Sequence, residues 1–315
     1  RYRDAVPSTI LDSVMQIEGL LPNEQDSFDI IWITTNETGD EVRTFFIHSQ
    51  SNHIYEVTRA DLTSKDVEQF VGFGDEYEPK YTTVMVGTGL GGRRPLYLPQ
   101  SDLEMVRITL QTESFTPEQL QNNLFVNPGI TRKLMERDGT EIYTDGKRGL
   151  QIYHERQWMS YSDPIAPVQS TSDLGAHLLT AIQFVNQHGG WNGTFRIEQY
   201  ATLTDQEYVF RQYYGQYPIV DLHPQPFGII RTVMNNGTVN LYERSTINLQ
   251  MPVGDREVVQ LFGGDQLRQI VEDHENHMMI MDLYPAYRPK LLQEQVVLTP
   301  VWAIELLSGS IQYLF

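Results

Sequence analysis

Cysteine is absent from all 315 residues of the chain. Disulfide bonds, thiolate metal ligands, thiol nucleophiles and cysteine-bound iron–sulfur clusters are therefore excluded together. A composition without cysteine suits an exported protein, although a cytosolic protein can show the same count.

Basic residues are scarce. The chain has 23 lysines and arginines against 41 aspartates and glutamates, which gives a formal net charge of −18. Such a charge repels the phosphate backbone of nucleic acids and the anionic surface of a membrane. We therefore expect no nucleic-acid partner.

Long hydrophobic runs are also missing. No segment approaches the ~20 apolar residues that a membrane-spanning helix needs. The longest candidate, VVLTPVWAIELL, is interrupted by Pro300 and Glu305. The chain begins RYRDAV, without an initiator methionine or the apolar segment of a signal peptide, so we expect a targeting segment upstream of it.

The patterns that are present divide the chain into three predicted units. Unit 1–80 opens with a helix from Ser8 and continues with three strand-like runs, FDIIWITT, EVRTFFIHS and HIYEVTRA, joined by short turns. It ends in the acidic, glycine-containing segment GFGDEYEPK, which is typical of a boundary. We expect this unit to be a partial N-terminal α+β domain.

Units 81–170 and 171–315 each combine helices with antiparallel strands. Thr116-Pro117-Glu118 predicts a helix start, and residues 173–187 carry apolar side chains at helical spacing. Asn235-Asn236-Gly237 predicts a hairpin turn. The predicted fold is α+β and multidomain, with antiparallel sheets, helices packed on one face, and two similar C-terminal modules after the partial domain.

One short motif resembles a catalytic loop. His188-Gly-Gly-Trp191 is similar to the oxyanion loop of many esterases, but the chain contains no Gly-x-Ser-x-Gly nucleophile elbow. The two glycines follow a predicted helix, and glycine readily adopts the left-handed conformation that closes a last helical turn. We therefore interpret the motif as a helix end, with Trp191 as a packing residue.

Three other patterns have similarly plain explanations. The run from Gly87 to Gly92 fits G-x-G-x-x-G, but the prolines that follow exclude the helix of a dinucleotide site, so a hairpin or loop is favoured. His274 and His277 have a spacing that could bind a metal, yet a solvated helix end is favoured. Four tyrosines could form a contact surface, although ordinary sheet packing is favoured for them; they are Tyr208, Tyr213, Tyr214 and Tyr217.

No set of residues forms a coherent catalytic, metal or cofactor site. His154, His188 and His223 have no partner nearby in sequence, and Asp145, Asp163 and Asp221 stand at turns, where aspartate commonly caps its own backbone. We predict no catalytic, cofactor-binding or metal-binding residue, and the partner-binding residues stay unknown.

Several segments, taken in order, carry a family likeness. They are TEIYTDGKRGLQIY followed by SYSDP, then FVNQHGGW, YGQYPIV, YERSTINL and LTPVWAIEL. In this order and spacing, residues 82–315 resemble the YycH family of bacilli and related Firmicutes.

The resemblance implies a regulatory protein and no enzymatic activity. Members of the family resemble external multidomain proteins held at the extracytoplasmic face of the cell membrane by one N-terminal helix, which is not in this chain. The implied partners are a YycI-like protein and the sensor histidine kinase YycG, also called WalK, which governs cell-wall metabolism. Two alternatives stay open at this point: a secreted cell-wall hydrolase, with His274 and His277 as metal ligands, and a ligand-binding sensory module.

Overall fold

A computed structural model describes residues 5–15, 26–36, 38, 41–48, 53–57, 62–68, 70, 79–87, 94–164, 173–201, 206–235 and 237–314. Its helices are α1 (Ser8–Met15), α2 (Ser64–Glu68), α3 (Pro117–Leu124), α4 (Leu174–Gln187) and α5 (Gly264–Asp273). Its strands are β1 (Val6–Pro7), β2 (Ser27–Phe28), β3 (Ile30–Thr35), β4 (Val42–His48), β5 (His53–Val57), β6 (Tyr81–Val86), β7 (Arg94–Pro99), β8 (Leu103–Ser114), β9 (Arg132–Met135), β10 (Glu141–Thr144), β11 (Gly149–Tyr153), β12 (Trp158–Ser162), β13 (Thr194–Gln199), β14 (Glu207–Tyr214), β15 (Tyr217–Pro218), β16 (Ile229–Asn235), β17 (Thr238–Ser245), β18 (Ile247–Leu261), β19 (Ile280–Leu291), β20 (Gln295–Leu306) and β21 (Ile311–Leu314).

A nine-stranded sheet forms the largest element, in the order β13-β14-β16-β17-β12-β11-β10-β9, with β15 also paired to β14. Every pairing in it is antiparallel. A helix followed by an antiparallel meander occurs twice, as α3 with β9–β12 and as α4 with β13–β17. The two meanders meet through β12 and β17 and so share one sheet.

One face of this sheet is apolar and covered by helices. Successive cross-strand neighbours on that face are Leu150, Tyr161, Tyr242, Thr232 and Tyr208. All five side chains are buried. The helices α3 and α4 pack against them, since two leucines of α3, and two leucines and a valine of α4, belong to the same hydrophobic cluster. One hydrophobic core of the molecule therefore lies between this face and the helices, as the sequence predicts.

The helix α4 is fixed at both its start and its inner face. The carboxylate of Asp173 caps the first turn by accepting a hydrogen bond from the Gly175 N–H at 2.9 Å. Leu174, Leu178 and Val185 are buried at helical spacing. Apolar periodicity alone was enough to predict this helix.

The first helix, α1, packs directly on α4. At the contact, a Cβ added to Gly175 would lie 1.9 Å from Ser13 Oγ and 2.5 Å from the Thr9 carbonyl oxygen. Only glycine allows the two helices to approach so closely. The strands β3, β4 and β5 form the predicted three-stranded antiparallel meander beside this helix pair.

A second sheet has five strands, in the order β18-β8-β20-β19, with β21 also paired to β20. It has its own hydrophobic cluster, to which α5 contributes Leu267 and Val271. The hairpin β6–β7 packs on the same cluster through Val86, Leu96 and Leu98. The predicted α+β architecture of antiparallel sheets is therefore confirmed.

Local predictions at two turns can be compared with the structure. Asn235 pairs with Thr238 and Gly237 has a φ of +82°, which confirms the hairpin, although Asn236 lies outside the described residues. Strand β7 follows the first glycine-rich run, so the hairpin interpretation holds there too. Residues 88–93 of that run lie outside the described residues.

The predicted division at residues 80 and 170 stays a prediction. The acidic boundary segment falls largely in residues 71–78 and the second boundary in residues 165–172, all outside the described part of the chain. Both large sheets draw strands from each side of residue 170, through the β12–β17 and β8–β18 pairings. Units 81–170 and 171–315 are therefore joined by backbone hydrogen bonds.

Strand β9 and most of β18 are among the strands that sequence analysis does not predict. The four residues of β9 show no alternation, and Pro252 and Gly254 interrupt the pattern of β18. In the structure β18 continues through both residues with two register shifts against β8. It can do so because it is an edge strand. A proline whose nitrogen faces the outer side of an edge strand removes no hydrogen bond between strands.

The start of α3 gives a test of local stability. Thr116 Oγ1 accepts from the Gln119 N–H at 3.2 Å, and Gln119 Oε1 accepts from the Thr116 N–H at 2.8 Å, which is a capping box. We expect Thr116→Ala to lower the free energy of unfolding by about 1 kcal/mol, measured by urea denaturation. Thr116→Ser keeps the hydroxyl and is the control; equal losses in the two variants would contradict the capping role.

Candidate functional site

The glycine pair that resembles an oxyanion loop ends α4. Gly189 and Gly190 have φ values of +107° and +68°, and the Gly190 N–H donates to the Val185 carbonyl at 2.8 Å. These are the geometry and hydrogen bond of a helix C-terminus closed by left-handed residues. Trp191 packs against Phe195 and Phe210. The interpretation as a helix end with a packing tryptophan is confirmed.

A buried arginine lies directly beneath this helix end. Arg244, on β17, is 1% exposed and is among the largest fully buried side chains. Its Nη1 donates to the Gly190 carbonyl at 2.7 Å and to the Tyr242 hydroxyl at 3.0 Å, while its Nη2 donates to Asn192 Oδ1 at 2.9 Å. The guanidinium also lies 5.1 Å from the ring centroid of Phe115. Sequence analysis found no sign of this burial, because arginine is normally an exposed residue.

The acceptors around Arg244 explain how a buried cation is tolerated. They include a carbonyl just beyond the C-terminus of α4, where the helix dipole is negative. The aromatic face of Phe115 adds a cation–π contact. The loop that resembles a catalytic motif is therefore used to hold an arginine in the core.

His188 belongs to the same buried cluster. Its ring stacks on Phe184 with the centroids 3.9 Å apart, and its Nδ1 lies 2.7 Å from the Phe184 carbonyl oxygen. Burial lowers the pKa of His188, and the contact with the Phe184 carbonyl opposes that shift only in part. The histidine is thus a neutral packing group at physiological pH.

The remaining candidate side chains mostly satisfy nearby backbone groups. Asp145 accepts from the N–H groups of Lys147 and Arg148, which lowers the pKa of its carboxyl group. Asp221 accepts from the Phe227 N–H at 2.8 Å. Both aspartates therefore fix turns, as predicted.

The two histidines with metal-like spacing do not form a ligand set. Nδ1 of His274 accepts from the Asn276 N–H at 3.1 Å, and Nδ1 of His277 lies 3.1 Å from the His274 carbonyl oxygen. Within the described ranges, no group of three or more histidines, aspartates and glutamates is placed to hold a metal ion.

The four tyrosines lie in three different packing environments. Tyr208 is buried and donates to the Leu174 carbonyl at 2.6 Å, while Tyr213 lies under the guanidinium of Arg196. Tyr214 and Tyr217 pack edge-on against Tyr287 of the second sheet. They do not share one face.

The open face of the nine-stranded sheet carries a row of ion pairs. Arg231 bridges two carboxylates, with Nη2 at 2.7 Å from Glu207 Oε2 and Nη1 at 2.7 Å from Glu243 Oε2. The hydrogen bond to Glu207 is the largest cause of a raised pKa for this guanidinium. Beside it, Arg211 binds Glu198 through two nitrogens, each 2.7 Å from a carboxylate oxygen. This face is therefore charged, whereas the opposite face is apolar.

This charged face borders a cleft of about 710 Å³. Its floor carries both arginines and their glutamates, and its other walls come from residues 224–226 and from the end of the second sheet at Glu305, Gly309 and Ile311. Pro224 and Gln225 also border a second cavity of about 550 Å³, together with Asp221, His223 and Leu291. Strand alternation alone does not predict the cleft, because its walls come from segments distant in sequence.

The cleft holds charge in a fixed arrangement. Glu198, Glu207 and Glu243 each bind an arginine at 2.7 Å, so these carboxylates are committed to ion pairs. A general acid of the usual kind has instead a carboxyl group whose pKa is raised by an apolar setting. These three carboxylates are therefore better suited to polar recognition than to proton transfer.

No helix in the described part of the chain is both long enough and apolar enough to span a membrane.

Comparison with known proteins gives consistent results. Residues 93–314 match the family described as YycH protein, C-terminal domain. The chain is 22% identical to a Bacillus subtilis protein named two-component system WalR/WalK regulatory protein YycH, over 99% of this chain and 69% of that protein.

The crystal structure of YycH from Bacillus subtilis matches with a TM-score of 0.77 and 21% identity, covering 100% of this chain and 78% of that one. An uncharacterized protein from Eubacterium rectale matches with a TM-score of 0.44 and 11% identity, covering 79% of this chain and 94% of that one. The first of these structures shows that the fold is shared.

Arg244 gives a stability prediction with a matched control. Arg244→Met keeps much of the volume but leaves Gly190 O and Asn192 Oδ1 without this donor, so we expect a loss of roughly 3 kcal/mol in the free energy of unfolding. Arg107→Met removes a half-exposed ion pair with Glu257 and should cost at most about 1 kcal/mol. Urea denaturation measures both; equal losses would refute the central role of Arg244.

His188 predicts a pH dependence of stability. Its pKa is lower in the folded than in the unfolded chain, so its contribution is present above the unfolded value of about 6.5 and is lost as pH falls toward the folded value. We expect the melting temperature to fall more between about pH 7.5 and 5.5 in the wild type than in His188→Gln. Identical pH profiles would show that burial of His188 is not responsible.

Proposed function

The chain belongs to the YycH family, and on this premise we propose that it regulates a two-component system of the WalR/WalK type. The observation that carries the proposal is the similarity of nearly the whole chain to a protein named as a regulator of that system. The shared fold supports the same assignment. Regulation would proceed through protein–protein contacts and not through turnover of a substrate.

A more specific proposal concerns the cellular location of the protein and its protein partners. We propose that the protein works at the extracytoplasmic face of the cell membrane, held there by an N-terminal membrane helix. Its partners are a sensor histidine kinase of the WalK type and a YycI-like protein, and the process regulated is cell-wall metabolism. The strong acidity and the absence of cysteine are compatible with an external protein-binding module.

The chemistry of the cleft favours binding over catalysis. Three of its four glutamates are held by Arg211 and Arg231, and its described lining contains no histidine or lysine. Ser160 donates to Glu243 Oε1 at 3.0 Å, but that carboxylate is already paired with Arg231 and is therefore poorly suited to act as the base for a nucleophile. A metal-dependent hydrolase is likewise not favoured by the contacts of His274 and His277.

A second candidate function rests on the cavities. Two cavities of about 710 and 550 Å³ border the segment at Pro224 and Gln225, which is a size range that admits small ligands. A sensory module that binds a wall fragment there would be stabilised by it. A rise in melting temperature with such fragments, lost in Arg231→Ala, would favour this candidate.

Membrane anchoring would make weak external contacts sufficient. Tethering two proteins in one membrane raises their effective concentration to about the millimolar range. We therefore expect the isolated chain to bind the external portions of its partners only modestly. Regulation should depend on the anchor even when the external portion is intact.

The test is complementation in a strain that lacks its own YycH protein. We expect the anchored protein to restore expression of a WalR-dependent reporter, and the exported but untethered chain to restore it poorly at the same abundance. A foreign membrane helix of the same topology shows whether the helix only anchors the protein or also makes specific contacts.

Two controls separate the possible failures. Anchored Arg244→Met, which should be destabilised, shows what loss of the folded external portion does to the reporter. If the untethered chain restores full signalling at native abundance, the membrane-coupled mechanism is wrong. If the anchored wild type fails although it is folded and abundant, the regulatory assignment itself is wrong.

A further inference from the structure

The edges of the two large sheets differ in how they are protected from another strand. Strand β18, at one edge, contains Pro252 and two register shifts, and β13 contains one shift between Ile197 and Gln199. Proline and irregular register are common devices that prevent edge-to-edge pairing. Strand β9, the other edge of the nine-stranded sheet, has neither device in its four residues.

The backbone groups that β9 presents outward follow from its turn. The Glu136 N–H donates to the Thr140 carbonyl at 2.9 Å, so the backbone of residue 136 faces the neighbouring strand. Residues that face the partner alternate along an antiparallel strand, so Leu134 and Arg132 also bond to β10. The N–H and C=O groups of Lys133 and Met135 therefore point away from the sheet.

The side chains of β9 leave this edge accessible. Leu134 and Met135 are 56% and 64% exposed. Lys133, which would otherwise be the most effective protecting residue, is bound back to its own sheet, with Nζ 2.6 Å from Glu141 Oε1 and near the ring of Tyr143. Thr131 fixes the approach to the strand by donating to Gln121 Oε1 at 3.0 Å. The edge is thus open and held in place among the described residues.

The sequence of this edge is complementary to itself. We propose that β9 pairs with β9 of a second copy of the chain, antiparallel and centred on Leu134. In this register the outward groups of Lys133 meet those of Met135 from the other copy, so all the outward groups of β9 are satisfied. Arg132 then lies opposite Glu136 of the second copy, on the same face as the two leucines.

The alternative self-pairing registers are less favourable. Centring the pair on Lys133 places two lysines opposite each other, and like charges directly opposite are destabilising. If the pair is centred on Met135, Lys133 lies opposite a residue of the second copy that is beyond the end of its β9. Only the register centred on Leu134 joins both outward residues, places an apolar pair at the two-fold axis and sets opposite charges beside it.

The proposed contact has a defined geometry. Leu134 pairs with Ile142 within its own sheet, so the contact would form an apolar row Ile142–Leu134–Leu134–Ile142 across the two copies. A two-fold axis through Leu134 is the isologous arrangement that most homodimers use. Since each copy carries a net charge of −18, repulsion opposes association and the dimer should be favoured by added salt.

Cysteine cross-linking tests the register directly, because the native chain has no cysteine. Leu134 would occupy a non-hydrogen-bonded pair at the axis, where the two Cα atoms lie about 4.5 Å apart, within the range for a disulfide. We expect Leu134→Cys to form a covalent dimer under mild oxidation on the order of tenfold faster than Val126→Cys. Val126 is 89% exposed and close in sequence, so it controls for random collision. Equal rates would overturn the proposal.

The association state of the cysteine-free chain gives a second test by sedimentation. We expect a concentration-dependent dimer for the wild type and for Met135→Thr, which keeps the outward N–H, and a monomer for Met135→Pro, which removes it without removing a bond to β10. Circular dichroism checks that each variant is folded.

Two results would refute self-pairing by β9. One is a wild type that stays monomeric at all protein and salt concentrations. That result would refute self-pairing even if a different protein covers β9. The other is a dimer that persists in folded Met135→Pro. Neither result bears on the regulatory assignment, since the self-pairing does not depend on it.

Discussion

The burial of Arg244 is the constraint on which the arrangement of the two large sheets depends. Its guanidinium binds the end of α4 through Gly190 and the following segment through Asn192, and it contacts Phe115 at the end of β8. Phe115 in turn donates its N–H to the Thr246 carbonyl at 2.9 Å, between β17 and β18. One cation therefore ties a helix end, the nine-stranded sheet and the crossing into the second sheet together. A buried cation is tolerated there because its guanidinium donates to several acceptors and lies against an aromatic face.

The same sheet has two chemically different faces, and this difference directs the functional interpretation. The apolar face is covered by α3 and α4 in the core. The charged face remains at a cleft, where Arg211 and Arg231 hold three glutamates in fixed pairs. The ion pairs of Arg231 are partly exposed and contribute little to stability, whereas Arg211 is buried; all of them fix a pattern of charge that a partner or ligand can recognise. Such a surface is suited to the binding role proposed for the protein.

The edges of the two large sheets also differ from one another, in how well they are protected against pairing with another strand. Strand β18 is long and exposed, yet proline and bulges make it a poor template for another strand. Strand β9 is short, regular and fixed by the contacts of Thr131 and Lys133. Arg132 and Lys133 place two positive side chains on this edge of a molecule of net charge −18. The self-association proposed at this edge does not depend on the regulatory function proposed for the protein.

The sequence by itself determined the features that depend on neighbours along the chain. The capping box at Thr116, the periodic helix after Asp173, the hairpin before Gly237 and the helix end at Gly189 and Gly190 all follow from local conformational preferences. Composition excluded thiol chemistry, and ordered segments were sufficient to identify the family. The tertiary structure alone decided what depends on distant partners. It buried Arg244, it joined strands across residue 170, and it let β18 run through Pro252 because nothing pairs on its outer side among the described residues. It also formed β9 from residues without alternation, because pairing to β10 and not side-chain pattern defines that strand.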